Sequence, residues 1–191
     1  MQFSLFGAAV AAPTRADLDG LLLAGGMWVR AGTDDEDRAR LSVLVAADWR
    51  VRALVEELAV RGLPGQRAEA EGGLRAVRTE FRADLVPAAQ RWTKGARVAA
   101  PADLVLTAGG LRLWTIAAGH RDDVGYLLGT SDIESPVHRT AGAQLAALGL
   151  ASVGMGERGR PGWRITGIKR LRRFAELLGE PPDGACADWP D

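Results

Sequence analysis

Apolar positions along the chain recur with two periods, and the places where one gives way to the other predict its elements. Residues 16–26 read as a short helix, with Thr14 at the N-cap, Asp17 three residues on to complete a capping box, and Gly25-Gly26 as the stop. Residues 27–30 and 40–46 alternate or run apolar as strands do, about a polar turn at 33–37. Asp48 caps an amphipathic helix in which Val51, Leu54, Val55 and Leu58 recur at three and four residues, ended by Gly62. Residues 67–71 and 74–81 form a second hairpin around Gly72-Gly73. A helix over 82–94 follows, stopped by Gly95, with Pro87 inside it to kink it or delay its start.

The second half repeats this order. Residues 102–110 are again a short apolar segment ending in Ala-Gly-Gly, and 111–117 and 124–128 are strand-like. Ser135-Pro136 starts a helix whose apolar face is Val137, Ala141, Leu145 and Leu148. Segments 151–155 and 163–166 flank a Gly/Arg/Pro turn, and a basic helix over 168–178 closes at Gly179. Landmarks recur at nearly one offset: Ala24-Gly25-Gly26 against Ala108-Gly109-Gly110 at 84, Ala31-Gly32 against Ala118-Gly119 at 87, and Leu58 to Leu63 against Leu145 to Leu150 at 87. Asp34-Asp35 against Asp122-Asp123 gives 88, and Gly73-Leu74-Arg75 against Gly162-Trp163-Arg164 gives 89. The expectation is an α+β chain of tandem duplicated α-β-β-α-β-β-α units: residues 1–97 with an N-terminal arm, residues 98–180, and a flexible acidic tail over 181–191.

The nine residues Leu18-Asp19-Gly20-Leu21-Leu22-Leu23-Ala24-Gly25-Gly26 fit the small and apolar positions of a known signature helix. With the element order, they make the chain similar to the LAGLIDADG homing endonucleases. Its first half also resembles the WhiA-type bacterial regulators, which carry a degenerate form of that domain. The resemblance implies a pseudo-two-fold saddle of sheets over DNA, with the two signature helices packed at its centre. Gly20 and Ala24, four apart, share one helix face and let the partner helix approach closely. In the family an acid near each helix end holds a catalytic divalent metal. That position falls on Gly25 and, in the second repeat, on Gly109. An alternative register places the second motif at 111–119 and the acidic position on Ala118. None of these side chains offers an oxygen ligand, so the resemblance implies the scaffold without the cutting.

Charge adds a second clue. Lys plus Arg and Asp plus Glu number 24 each, yet the charge runs in blocks: −3 over 1–60, +4 over 61–100, −2 over 101–133, +4 over 134–180 and −3 over 181–191. A neutral chain of this kind can still present one positive face. The arginines in or beside the second hairpins are the candidates for phosphate contact: Arg67, Arg75 and Arg78, then Arg158, Arg160 and Arg164. Trp163 is placed to stack on a base, and Lys169 and Arg170 on the last helix add further cations. These residues also suit the plainer role of solvating an exposed face.

Other chemistries find little support. The single Cys186 gives no disulfide framework or thiol site, and His120 and His138 lack ligand-spaced partners. Asp34, Asp35, Glu36 and Asp37 lack the spacing of a calcium loop, and no phosphate-binding glycine loop is present. No cofactor or metal is therefore expected. The N-terminal stretch lacks the basic leader of a secretion signal, and no apolar run nears the roughly 18–20 residues of a membrane span, so a cytoplasmic location is expected. The favoured reading is a non-catalytic nucleic-acid-binding protein, regulatory or architectural, that takes DNA or structured RNA as a monomer. Three readings stay beside it: a protein-interaction module, a metal-dependent nuclease with recruited carboxylates (Asp19, Glu80 or Asp103), and a winged-helix-like element over 137–178.

Overall fold

Two four-stranded antiparallel sheets with the same internal order, each backed by helices, account for most of the chain. The computed structural model describes residues 12–32, 36–95, 97–156 and 161–190. In the first half a 3-10 turn, Arg15–Leu18, runs into α1 (Asp19–Leu23). The Asp17 carboxylate accepts from the Thr14 backbone N–H at 3.0 Å, which fixes the entry, and Gly25 at φ 93° ends the helix. Then come β1 (Met27–Ala31), β2 (Arg38–Val45), α2 (Asp48–Ala59), β3 (Gly65–Glu69) and β4 (Arg75–Thr79), in the sheet order β1-β2-β4-β3. The N-cap of α2 is Ala47 rather than Asp48, which occupies the first helical position.

The helix expected over 82–94 is shorter. Pro87 sits in the first turn of α3 (Val86–Arg91), so the proline delays the start rather than kinking the middle. Beyond it Thr93–Lys94 (β5) and Arg97–Val98 (β6) pair as a small hairpin. The second half holds α4 (Ala108–Ala118), β7 (Gly119–Arg121), β8 (Tyr126–Gly129), α5 (Pro136–Ala147), β9 (Val153–Met155), β10 (Gly162–Ile165) and α6 (Ile168–Leu178). Its sheet order, β7-β8-β10-β9, matches the first. The matched helix ends match in detail too. Leu63 N–H donates to Leu58 O at 3.0 Å after Gly62 at φ 71°, and Leu150 N–H donates to Leu145 O at 2.8 Å after Gly149 at φ 78°.

One expectation fails in the second half. Residues 111–117 are helix, not strand, and 102–107 are its non-helical approach. Thr107 caps α4, its Oγ1 accepting from Gly110 N–H at 2.8 Å. The reason is burial. Leu111, Leu113, Trp114, Thr115, Ile116 and Ala117 are all below 9% exposed, because α4 runs through the centre of the molecule. A helix apolar on every side shows no 3.6-residue period and reads like a buried strand. The alternative register at 111–119 is therefore the one that follows the helix, and the Ala-Gly-Gly match at offset 84 is coincidence.

The segment expected as a flexible acidic tail is docked: Ala185 and Trp189 are 0% and 4% exposed, Trp189 Nε1 donates to Gly179 O at 3.1 Å, and Tyr126 Oη donates to Asp188 O at 2.8 Å. Its apolar residues find cover that its acidic composition does not foretell. A separate winged-helix element over 137–178 is also ruled out, since β9 and β10 complete the sheet that β7 and β8 begin.

A single hydrophobic cluster includes residues of both halves, from Leu18 and Leu21 through Trp114 to Phe174 and Trp189. No helix among the described residues is long and apolar enough to cross a membrane.

Candidate nucleic-acid interface

Strand register sorts side chains onto faces, because residues paired across strands share a side and successive residues alternate. In the first sheet Leu41, Val43 and Val45 face the helices and are buried. Val77 pairs with Val43, Arg75 with Val45 and Arg67 with Val77, so both arginines lie on the helix side. There Asp48 of α2 holds them, with Arg75 Nε at 2.6 Å and Arg67 Nη1 at 3.3 Å. Arg67 and Arg75 are thus not part of the open face. Their parity with Val77 puts them behind it.

The open face carries Arg78 from the expected set, together with Arg38 and Arg40, which sequence reasoning passed over. Gln66, Arg78, Ser42 and Met27 form one row across the four strands, and Arg40 and Arg38 lie further along β2 on the same side. The Arg40 guanidinium sits 4.5 Å over the Phe81 ring, which orients it while leaving its charge free. No Asp or Glu occupies any strand position of this face, and none of the three arginines has a carboxylate partner among the described residues.

In the second sheet Arg164 pairs with Leu127 and lies on the open side. It is already engaged, its Nη2 being 2.6 Å from Asp122 Oδ2. Burial works against the Asp122 charge, but the Val124 N–H and the Arg164 guanidinium outweigh it and hold the carboxyl below its usual range. Trp163 pairs with Leu128 and faces the helices instead. Its Nε1 donates to His138 O at 2.9 Å, and a Cβ on Gly142 of α5 would come within 2.6 Å of its Cε2. Trp163 is a packing residue, unable to stack on a base without leaving the core. Lys169 and Arg170 are exposed on α6, on another surface. Arg158 and Arg160 lie outside the described residues, as do Asp34 and Asp35.

His138 is buried by the same packing. Its Nδ1 lies 2.9 Å from Thr130 Oγ1, and its ring stacks on Trp163 at 4.9 Å between centroids. Burial pushes the imidazole below its ordinary value of 6.5, against the pull of Asp132. Because the folded value is the lower one, the unfolded chain takes up the proton more readily. The stability from neutral His138 is therefore full above the unfolded value and is lost as pH falls through the folded one. The melting temperature should drop between about pH 7.5 and about pH 5.5, and less steeply in His138→Gln. Equal slopes in the two proteins would remove His138 as a cause.

At the centre, α1 and α4 approach so closely that a Cβ on Gly20 would lie 2.5 Å from the Gly110 carbonyl carbon. Ala24 caps α1 and, with Ala117, Ala118 and His120, lines a cleft of about 410 Å³ between the helix ends. Gly109 lies in the first turn of α4, at the far end from this cleft, so it is not the counterpart of Gly25. The end of α4 is instead neutralised by Arg50 of α2, which is 8% exposed. Its Nη1 donates to Thr115 O and Ile116 O at 3.3 and 2.7 Å, and its Nη2 donates to Gly119 O at 2.6 Å. A guanidinium thus satisfies carbonyls that a helix end leaves open and complements its negative dipole. Arg50 carried no sequence signal beyond its helical position. Of the recruited acids, Asp19 accepts from Trp92 Nε1 at 2.6 Å and meets Arg91 at 2.8 Å, and Asp103 shares that arginine at 3.2 Å.

Two sheets of identical order, joined through a glycine-mediated contact of two central helices, define the architecture to be compared. The homing endonuclease I-WcaI, solved bound to its DNA recognition sequence, matches with a TM-score of 0.58 at 12% identity, over 85% of this chain and 80% of that one. The N-terminal LAGLIDADG domain of DUF199/WhiA matches with a TM-score of 0.56 at 13% identity, over 87% of this chain and 82% of that one. The chain has the LAGLIDADG fold. I-DmoI, solved in complex with DNA and Ca, shares it with a TM-score of 0.51 at 14% identity, over 90% and 94% of the two chains. No protein-family model and no curated protein matches the sequence. In this chain the ends of the two central helices carry Gly25 and Ala118, and a fixed arginine holds the second of them.

Proposed function

We propose that this chain binds nucleic acid, duplex DNA foremost, on the open face of its first sheet and does not cleave it, serving a regulatory or architectural role in the cytoplasm. The observation that carries the reading is the set Arg38, Arg40 and Arg78 on a face without strand carboxylates. Guanidinium forks match phosphate oxygens, and unpaired ones release counterions from the duplex on binding. The absence of cleavage rests on the central cleft. Gly25 and Ala118 offer no ligand, and the carboxylate that lines the cleft, Asp188, is already engaged, 3.7 Å from Arg50 and accepting from Trp49 Nε1 at 3.2 Å. One chain already presents two sheets, so a monomer suffices. A second reading, a protein-interaction surface, is favoured by Met27 and Leu44, which are 48% and 47% exposed on the same face.

Titrating a short duplex between about 50 mM and about 200 mM salt separates the two readings. Wild type should bind with a steep salt dependence, and R38A/R40A/R78A should bind more weakly with a salt slope shallower by about 2 to 3. A plasmid incubated with the protein and magnesium should stay uncut. No binding at low salt, or unchanged affinity in the triple variant, would overturn the interface; metal-dependent nicking by pure protein would overturn the non-catalytic half.

A further inference from the structure

A second, separate block of positive charge lies on α6. Lys169, Arg170, Arg172 and Arg173 are all exposed within five residues, and none has a carboxylate partner among the described residues. The one contact among them is local, Arg170 Nη1 donating to Thr166 O at 3.3 Å. Glu176 is the one acid of α6, so the helix carries a net charge of +3, and crowding of like charge at this spacing is unfavourable unless an anion relieves it.

The position of α6 decides what that anion can be. Phe174 packs against Tyr126, with ring centroids 5.0 Å apart, and Tyr126 lies on the helix side of the second sheet. Phe174 and Leu178 belong to the same hydrophobic cluster as Val43 and Val45 on the helix side of the first sheet. The helix packs on α4, which itself touches the helix sides of both sheets, so its cations point away from the shared core. A helix is about 10–12 Å across with its side chains, which exceeds the screening length of about 8 Å at physiological salt. Cations beyond that distance add little to a ligand lying on the open face. They form a site of their own.

We infer that the chain holds two nucleic-acid segments at once, one on the open face of the first sheet and one along α6, and so bridges them. The inference rests on the proposed binding reading. Three of the four α6 cations are arginines, which favour the bidentate phosphate contact over the looser attraction of a lipid surface. The single exposed aliphatic residue beside them, Ile168 at 79%, is too little apolar area for stable insertion in a membrane.

A tethered-capture experiment tests this. One duplex is fixed to beads, protein is added, and retention of a second, fluorescent duplex is measured at about 100 mM salt. Wild type should retain the second duplex. K169Q/R170Q/R172Q/R173Q, whose changes are all on the surface, should keep its melting temperature and the share of single-duplex binding that R38A/R40A/R78A removes. Its capture of the second duplex should fall at least about tenfold. Wild type that binds one duplex but captures no second overturns bridging and leaves the sheet interface standing. Capture unchanged in the α6 variant also overturns it, pointing to self-association through intact sheets. Failure of wild type to bind any duplex overturns both readings together. Anionic phosphatidylserine vesicles form a parallel arm, and α6-dependent vesicle binding without second-duplex capture would assign the helix to a membrane instead.

Discussion

Gly20→Ala is expected to destabilise the chain by about 3 kcal/mol, although alanine is the better helix former by about 1 kcal/mol. The sign follows from what the new methyl meets. Its Cβ would sit 2.5 Å from the Gly110 carbonyl carbon, and that atom is backbone in a helix that is itself enclosed. No side chain can swing aside, so α1 and α4 must separate and the leucines around the crossing lose contact. The reciprocal change sharpens the test. A Cβ on Gly110 would lie 3.0 Å from the Leu106 Cδ1 and 3.2 Å from the Asp17 carbonyl, so at least part of that crowding is relieved by a flexible side chain. Urea unfolding of both variants should therefore rank Gly20→Ala well below Gly110→Ala. Equal losses, or a stabilised Gly20→Ala, would show that the two backbones are not in contact as described.

Arg61→Met is expected to cost about 3–5 kcal/mol, the range for removing one partner of a buried ion pair. The Arg61 side chain is 2% exposed and that of Asp17 5%, and they meet at 2.9 Å. Arg61 also reaches Glu57 at 2.7 Å, and Glu57 meets Arg112 of α4 at 2.6 Å. Asp17 accepts from Thr107 Oγ1 at 2.6 Å, so the network ties the first helix to the approach of the second. Without Arg61 the Asp17 charge stays in a poorly solvated place with only neutral donors. The double change D17N/R61M removes both charges and should cost less than the sum of the single changes. Additive losses by urea unfolding would mean that the pair is not coupled.

The sheets were legible in the chain because each has one wet face. Ala39, Leu41 and Val43 alternate with Arg38, Arg40 and Ser42, and that parity alone sets the two arginines apart from the core. Applied to β4, it also pairs Arg75 with Val77 and separates Arg78. Closeness to a hairpin does not distinguish the two sides of a strand, so that criterion places Arg67 and Arg75 on the open face although their parity puts them behind it. α4 was illegible for the opposite reason. Only Arg112 marks its wet side, so the long apolar run that follows reads as readily as a buried strand. Arg50 escaped notice because its partners are backbone carbonyls of residues 65 to 69 positions away, and no side-chain pattern announces a bond to a carbonyl. The docked segment over 181–190 hid behind its acidic composition, though Trp189 was the residue that needed cover.

The central helix contact also governs the order in which this chain can reach its native state. Asp17 waits for Thr107, 90 positions later, and Asp19 for Trp92, 73 positions later. At typical synthesis speeds that separation is a delay on the order of ten seconds. During it Leu21, Leu22 and Leu23, all at most 3% exposed in the finished protein, have no partner helix. The first repeat therefore emerges with its central leucines uncovered until α4 arrives to pack on them.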